Sequence, residues 1–193
     1  MTTKPQTQGS QPRSAVSTTL GSENPTLRDP IAEARRQWLA HGWEDAATGM
    51  ATVTTLTRVQ QILAGRVEET LAPLGLTFAR FEILRLLGFS RNGRLPMGKI
   101  SDRLQVHPAS VTSAVKRLER DGLIRREPDR VDSRIVLAAI LPAGRELLDP
   151  ATEAVNEIFK TIGLAESDME TLIDLMNPIR HDAGDPVSGS DQF

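Results

Sequence analysis

Three short helical patterns follow one another between residues 76 and 122, and their order constrains the fold more than any other feature of the chain. Thr77 is placed to cap the first helix, the second runs from Met97 to Gln105, and the third begins at His107 and ends at Gly122. A proline follows His107, and proline suits a first helical turn because it has no amide hydrogen. Two amphipathic helices joined by a short turn, with a third helix to pack against, predict a helix-turn-helix.

The third helix has an apolar stripe and an opposite polar face. At about 100° per residue, Val111, Val115 and Leu118 fall on one side of the helix. The N-terminal part of the opposite face carries hydroxyl and small residues, which let a helix approach base edges. Its C-terminal part carries cations that can pair with phosphates. An amphipathic helix that is merely soluble is the alternative. The candidate DNA contacts are His107, Ala109, Ser110, Thr112, Ser113, Lys116, Arg117 and Arg120.

After Gly122 the pattern changes to short aliphatic runs, 123–127 and 134–140, which predict a β-hairpin. Its loop carries Arg130, Asp132 and Arg134 as further candidate DNA contacts. The Asp132 carboxylate is placed to orient the Arg134 guanidinium, which suits a narrow and negative minor groove. A surface ion pair that only braces the hairpin, worth about 0–1 kcal/mol, is the alternative.

These residues resemble the MarR family of transcriptional regulators. The resemblance implies a homodimer of winged helix-turn-helix subunits on double-stranded DNA, with Arg134 entering the minor groove. Leu141 departs from the family, whose members usually carry a threonine cap at that position. The motifs that carry the resemblance are Leu76-Thr77, Gly122-Leu123-Ile124-x-Arg126, Pro128-Asp129, Asp132-x-Arg134 and Gly144-Arg145.

The remaining segments predict a mainly α-helical protein with a small β-hairpin wing. Apolar stripes on the outer helices predict a homodimer, with an intrachain helical bundle as the alternative. Asp149-Pro150 is expected to interrupt a helix that starts at Pro142, by a kink or a restart. The expected layout is a disordered tail (1–28), N-terminal dimerisation helices (29–75), a winged helix-turn-helix (76–140), C-terminal dimerisation helices (141–182) and a flexible tail (183–193).

Positive charge is concentrated in residues 91–134 of the predicted winged helix-turn-helix, the part of the chain that we call the reading head. The chain has a net charge of −2, whereas residues 91–134 hold 11 basic and 6 acidic side chains, a balance of +5. Clustered cations are expected where DNA phosphates lie. A solvated basic surface is the alternative for a region of this composition.

Several functional classes are excluded or disfavoured by composition. The chain has no cysteine, which excludes disulfides, thiolate metal sites and peroxide sensing through cysteine. The three histidines are scattered and no catalytic motif is present, so we expect neither an enzyme, a cofactor nor a metal site. No membrane-span or signal-peptide pattern is found, so we expect a cytoplasmic protein.

The sequence therefore predicts a sequence-specific transcriptional repressor that binds a pseudo-palindromic operator as a homodimer. A winged-helix module that binds another protein is the alternative, and it would tolerate loss of Lys116, Arg117 and Arg134. The family resemblance also implies a possible small aromatic or anionic effector. Its candidate lining residues are Trp38, Trp43, Arg58 and Arg80, although two tryptophans near a helix end are often packing residues.

Overall fold

A computed structural model describes Met1 and residues 28–187. Most of the two predicted tails, residues 2–27 and 188–193, lies outside the described residues. The chain divides into two units, Met1–Thr55 and Leu56–Phe193. In chain order the elements are α1 (Pro30–Ala40), α2 (Glu44–Leu71), a 3₁₀ turn (Ala72–Leu74), α3 (Phe78–Phe89), β1 (Arg94–Pro96), α4 (Met97–Leu104), α5 (Pro108–Arg120), β2 (Ile124–Pro128), β3 (Val136–Ile140), α6 (Pro142–Lys160) and α7 (Glu166–Asp182).

The first unit contains α1 and the start of α2. Asp29 caps α1, because its carboxylate accepts a hydrogen bond from the Ile31 amide at 2.9 Å. The rings of Trp38 and Trp43 meet edge to face with centroids 5.4 Å apart across the turn that follows α1. The α2 helix then begins at Glu44, and both helices lie within the predicted helical region 29–75.

The second unit contains the hydrophobic core. Thr77 caps α3 through a hydrogen bond from the Arg80 amide at 3.4 Å. The α5 helix contacts α3, α4 and β2. Its Val111, Val115 and Leu118 side chains are buried, as the helical pattern predicted. The mainly helical fold with a winged helix-turn-helix is thereby confirmed.

The wing is a three-stranded antiparallel sheet with the order β1-β3-β2, and not the simple hairpin that the sequence predicted. The β1 strand pairs with β3 in the register Arg94 opposite Ala139 and Leu95 opposite Ala138. Sequence reasoning missed β1 because three residues ending in a proline give no alternating pattern. The β2 and β3 strands lie within one or two residues of the expected runs.

The α6 helix continues through Pro150, so a restart at Asp149-Pro150, one of the two expected forms of interruption, is wrong. Pro150 is exposed, and the carbonyl of Glu146 that loses its helical partner belongs to another exposed residue, where water can satisfy it. Leu148 and Ala151 on the opposite side are buried and hold both halves of the helix against the core. Pro178 likewise lies inside α7.

The start of α6 packs tightly against Leu123, just before β2, and against Ile140 at the end of β3. A Cβ on Gly144 would overlap the Leu123 carbonyl oxygen and lie 3.0 Å from Cγ1 of Ile140. Only glycine permits this approach.

Within residues 28–187, no helix is long and apolar enough to cross a membrane.

We expect Gly144→Ala to lower the free energy of unfolding by about 1–3 kcal/mol, because the added methyl group must displace backbone. Gly98→Ala is the matched control, since a Cβ there meets nothing within 4 Å. The control should be neutral or up to about 1 kcal/mol more stable. Urea unfolding followed by circular dichroism measures both, and equal stabilities for the two variants would contradict the close packing.

Candidate nucleic-acid interface

The predicted contact residues of α5 share one solvent-exposed face. Packing of the apolar stripe against the core turns this face outward. His107 caps the helix, with its Nδ1 accepting a hydrogen bond from the Ala109 amide at 3.2 Å. The Thr112 hydroxyl donates to the Pro108 carbonyl at 2.9 Å. The exposed residues are His107, Ala109, Ser110, Thr112, Ser113, Lys116, Arg117 and Arg120.

A buried arginine of α3 makes an ion pair with the C-terminal end of α5. Arg80 is only 8% exposed, and its Nη2 makes an ion pair with Asp121, the residue that ends α5. Its Nη1 donates to the carbonyl of Gly75 at 2.7 Å. A hydrogen bond from Arg120 and the charges of Arg80 and Arg120 hold the pKa of Asp121 below its usual value. The Asp121 carboxylate therefore anchors α5 and also holds Arg120, a predicted DNA contact.

A second ion pair ties α5 to the wing. Glu119 accepts hydrogen bonds from the backbone amide of Arg126 at 3.0 Å and from its Nε at 2.8 Å. These bonds lower the pKa of the Glu119 carboxyl. Arg126 belongs to β2. This pair therefore fixes the position of the wing relative to the exposed polar face of α5, which we call the reading face.

The wing loop is ordered by two aspartates. Asp129 accepts hydrogen bonds from the amides of Val131 at 2.8 Å and Asp132 at 3.1 Å, which lower its pKa. The expected pair is present, since Asp132 Oδ1 accepts from the Arg134 amide at 3.0 Å and from its Nε at 3.2 Å. The Arg134 side chain is 91% exposed, and its Nη groups have no partner within the described part of the chain. Arg130 is also exposed.

The candidate effector residues are placed in both units. Trp38 and Trp43 lie together in the first unit, where Trp43 is half exposed. In the second unit, Arg58 is exposed and its Nη1 lies 3.4 Å from Oε1 of Gln61. Arg80 is held by Asp121 and so has a structural partner of its own.

Sequence reasoning missed the two ion pairs that hold the interface together, although it named Arg80 as an effector residue and Arg126 in a motif. Glu119 and Arg126 are seven positions apart on different elements, and Arg80 and Asp121 are 41 apart. Neither separation has a local signature, because each pair meets only after the elements pack. Opposite charges at the two ends of the helix-to-strand turn were the one available signal for Glu119 and Arg126.

Known proteins share this architecture. The sequence profile of the MarR family matches residues 76–136. The HTH-type transcriptional repressor Mb2911 of Mycobacterium bovis is 34% identical over 100 residues, which cover 52% of this chain and 70% of that protein.

Solved structures agree with the sequence matches. Sco5413, a MarR family transcriptional regulator from Streptomyces coelicolor, aligns at 41% identity and a TM-score of 0.65, covering 73% of this chain and 99% of that chain. CouR from Rhodococcus jostii RHA1, solved bound to p-coumaroyl-CoA, aligns at 26% identity and a TM-score of 0.57, covering 65% of this chain and 88% of that chain.

The fold and the exposed polar face of α5 define a winged helix-turn-helix DNA-binding protein. With the sequence and structural matches, they identify the particular kind of regulator. The chain belongs to the MarR family of transcriptional regulators.

We expect Arg80→Met to lower the free energy of unfolding by about 1–3 kcal/mol, because the Gly75 carbonyl and the Asp121 carboxylate each lose a hydrogen-bond donor. Arg66→Met is the control, since Nη2 of Arg66 donates to the carbonyl and the hydroxyl of Thr161 in an exposed contact, where water can replace the lost donor. Thermal unfolding measures both variants. A loss at Arg80 no larger than that at Arg66 would contradict its anchoring role.

Proposed function

We propose that the chain is a repressor that reads operator DNA with α5 and anchors it with the wing. One observation carries this proposal: the exposed face of α5 and the free Nη groups of Arg134 belong to one rigid head, joined by the Glu119–Arg126 pair. Hydroxyl side chains at the start of α5 fit a role in reading bases, and the cations farther along fit phosphates. Blocking polymerase access is the proposed mode of repression.

We propose that the functional unit is a homodimer. The described part of α7 has no buried residue, and its Leu175 and Ile179, which lie one turn apart on the same face, are 69% and 61% exposed. An apolar face of this kind requires a partner surface, and two-fold dimers read two half-sites about 34–36 Å apart. A second copy of the chain supplies that partner and accounts for a pseudo-palindromic operator.

A small anionic or aromatic effector is also proposed. A groove of about 450 Å³ lies between α3 and α5, and its lining includes Thr77, Arg80, Ser110 and Arg117. A carboxylate bound beside Arg117 would compete with DNA for the same face. Similarity to CouR, a protein solved with an acyl-CoA, supports a ligand response. Of the four residues suggested by the sequence, Arg80 lines this groove.

We propose no catalytic role, resident cofactor or metal for this chain. Membership in a family of transcriptional regulators supports this view, as does the lack of any catalytic motif in the sequence. A regulator of this kind acts on chromosomal DNA, so the proposed location is the cytoplasm.

Arg134→Ala should weaken binding to operator fragments selected from random duplex DNA. It should also reduce the magnitude of the slope of log K against log salt by about one for each copy of Arg134 that contacts the DNA. The reason is that the free guanidinium releases counterions when it enters the groove. Fluorescence anisotropy at several salt concentrations measures both quantities.

Lys160→Ala is the matched control for this loss of charge, because Lys160 lies on α6 and pairs with Glu157 at 2.8 Å. It should leave both affinity and slope unchanged. If Arg134→Ala behaves like this control, the wing does not contact DNA. If the wild-type chain selects no duplex at low salt, the DNA-binding proposal itself is wrong.

Light scattering should give twice the chain mass at concentrations that saturate the operator. Leu175→Lys should shift the protein toward monomer, because it places a charge in the apolar face of α7. Glu170→Lys, at an exposed α7 position on the face opposite Leu175, is the control and should remain dimeric. A wild-type monomer at these concentrations, or dimers for both variants, would contradict the assigned interface.

A further inference from the structure

One residue in the turn between α4 and α5 has an unfavourable backbone conformation. Gln105 has φ 53° and ψ 40°, in the left-handed region. Among residues 28–187 it is the single residue other than glycine with a positive φ. Side chains are disfavoured there because Cβ crowds the backbone, and glycine is the usual choice. Something other than local geometry must account for the glutamine.

Hydrogen bonds explain the turn without using the Gln105 side chain. The amide of Gln105 donates to the Asp102 carbonyl at 3.4 Å, and the amide of Val106 donates to the Ser101 carbonyl at 3.3 Å. The buried Ser101 hydroxyl donates to the Val106 carbonyl at 2.8 Å. Glycine at position 105 would keep every one of these bonds. The local structure therefore requires the left-handed turn but not an amide side chain.

Gln105 lies in the turn that leads directly into the helix with the proposed reading face. Its side chain is exposed, and the side-chain amide has no partner in the described part of the chain. Three positions later the chain enters α5, and the neighbouring exposed side chains include Arg103 on α4 and His107 and Ser110 at the start of α5. An amide at this point adds an exposed polar group to the turn that precedes α5. It is a hydrogen-bond donor outside the residues predicted from the sequence.

We propose that the Gln105 side-chain amide donates a hydrogen bond to a backbone phosphate of the operator, and that this contact is the reason a side chain is kept at a strained position. The inference rests on the proposed DNA-binding function. Strained residues that persist in native structures concentrate at functional sites. Glutamine is a regular phosphate contact in protein–DNA complexes. Because the amide is neutral, it adds affinity without counterion release or base preference.

Two substitutions separate the amide from the strain. Gln105→Ala removes the amide and keeps a Cβ in the left-handed region, whereas Gln105→Gly removes both. Both should weaken operator binding to the same extent, roughly 5- to 150-fold in Kd for two lost hydrogen bonds per dimer. Only Gln105→Gly should raise the melting temperature above that of the wild type, because it relieves the strain. Greater stability with weaker binding is a result that a purely structural role does not produce.

A charge probe tests whether position 105 lies near a phosphate. Gln105→Lys should steepen the slope of log K against log salt by about two for the two copies in a dimer. Gln60→Lys, at an exposed position of α2 outside the reading head, is the matched control and should leave the slope unchanged. Anisotropy titrations over a range of salt concentrations measure both.

Three outcomes would overturn the proposal. The first is unchanged operator affinity in Gln105→Gly, and the second is a Gln105→Lys slope equal to that of the wild type. The third is an altered operator consensus when Gln105→Ala is used to select random duplexes, since that would make Gln105 a base contact. Failure of the wild-type chain to bind any duplex is a different result, and it refutes the proposed function instead.

Discussion

Burial of the apolar stripe of α5 fixes how this helix is oriented in the protein. Val111, Val115 and Leu118 are at most 2% exposed, and burying each side chain contributes about 1.5–3 kcal/mol. The helix has one apolar stripe, so packing it against the core fixes which residues face outward. The chemistry of the reading face follows from this rotation about the helix axis. A polar substitution in the stripe would affect the fold and the interface together.

Ion pairs then fix the position of α5 relative to α3 and β2, which hydrophobic packing alone does not define. Apolar contacts are not directional, whereas a guanidinium and a carboxylate meet in a defined geometry. Arg80 and Asp121 hold the end of α5 against α3, and Glu119 and Arg126 hold it against β2. Arg134 on the wing is consequently carried at a set distance from α5. The two proposed DNA contacts act as one unit for this reason.

Conformational strain at Gln105 contrasts with the close fit at Gly144. At Gly144 the backbone geometry demands the residue that is present, because a Cβ would meet the Leu123 carbonyl. At position 105 the geometry favours glycine, yet glutamine is found there. A side chain at position 144 would destabilise the fold. A side chain at position 105 is tolerated, in the turn that precedes the reading face. Stability accounts for one residue, and the proposed DNA contact accounts for the other.

The helix order, the cap at Thr77, the apolar stripe of α5 and the Asp132–Arg134 pair could all be predicted from the amino-acid sequence, because each depends on residues close together in the chain. Tertiary structure decided β1, whose strand exists only by pairing with β3, and the unbroken path of α6 through Pro150. It also decided the Arg80–Asp121 pair, which joins residues 41 positions apart. Local patterns fix periodicity and caps, whereas long-range partners are chosen only when the elements pack.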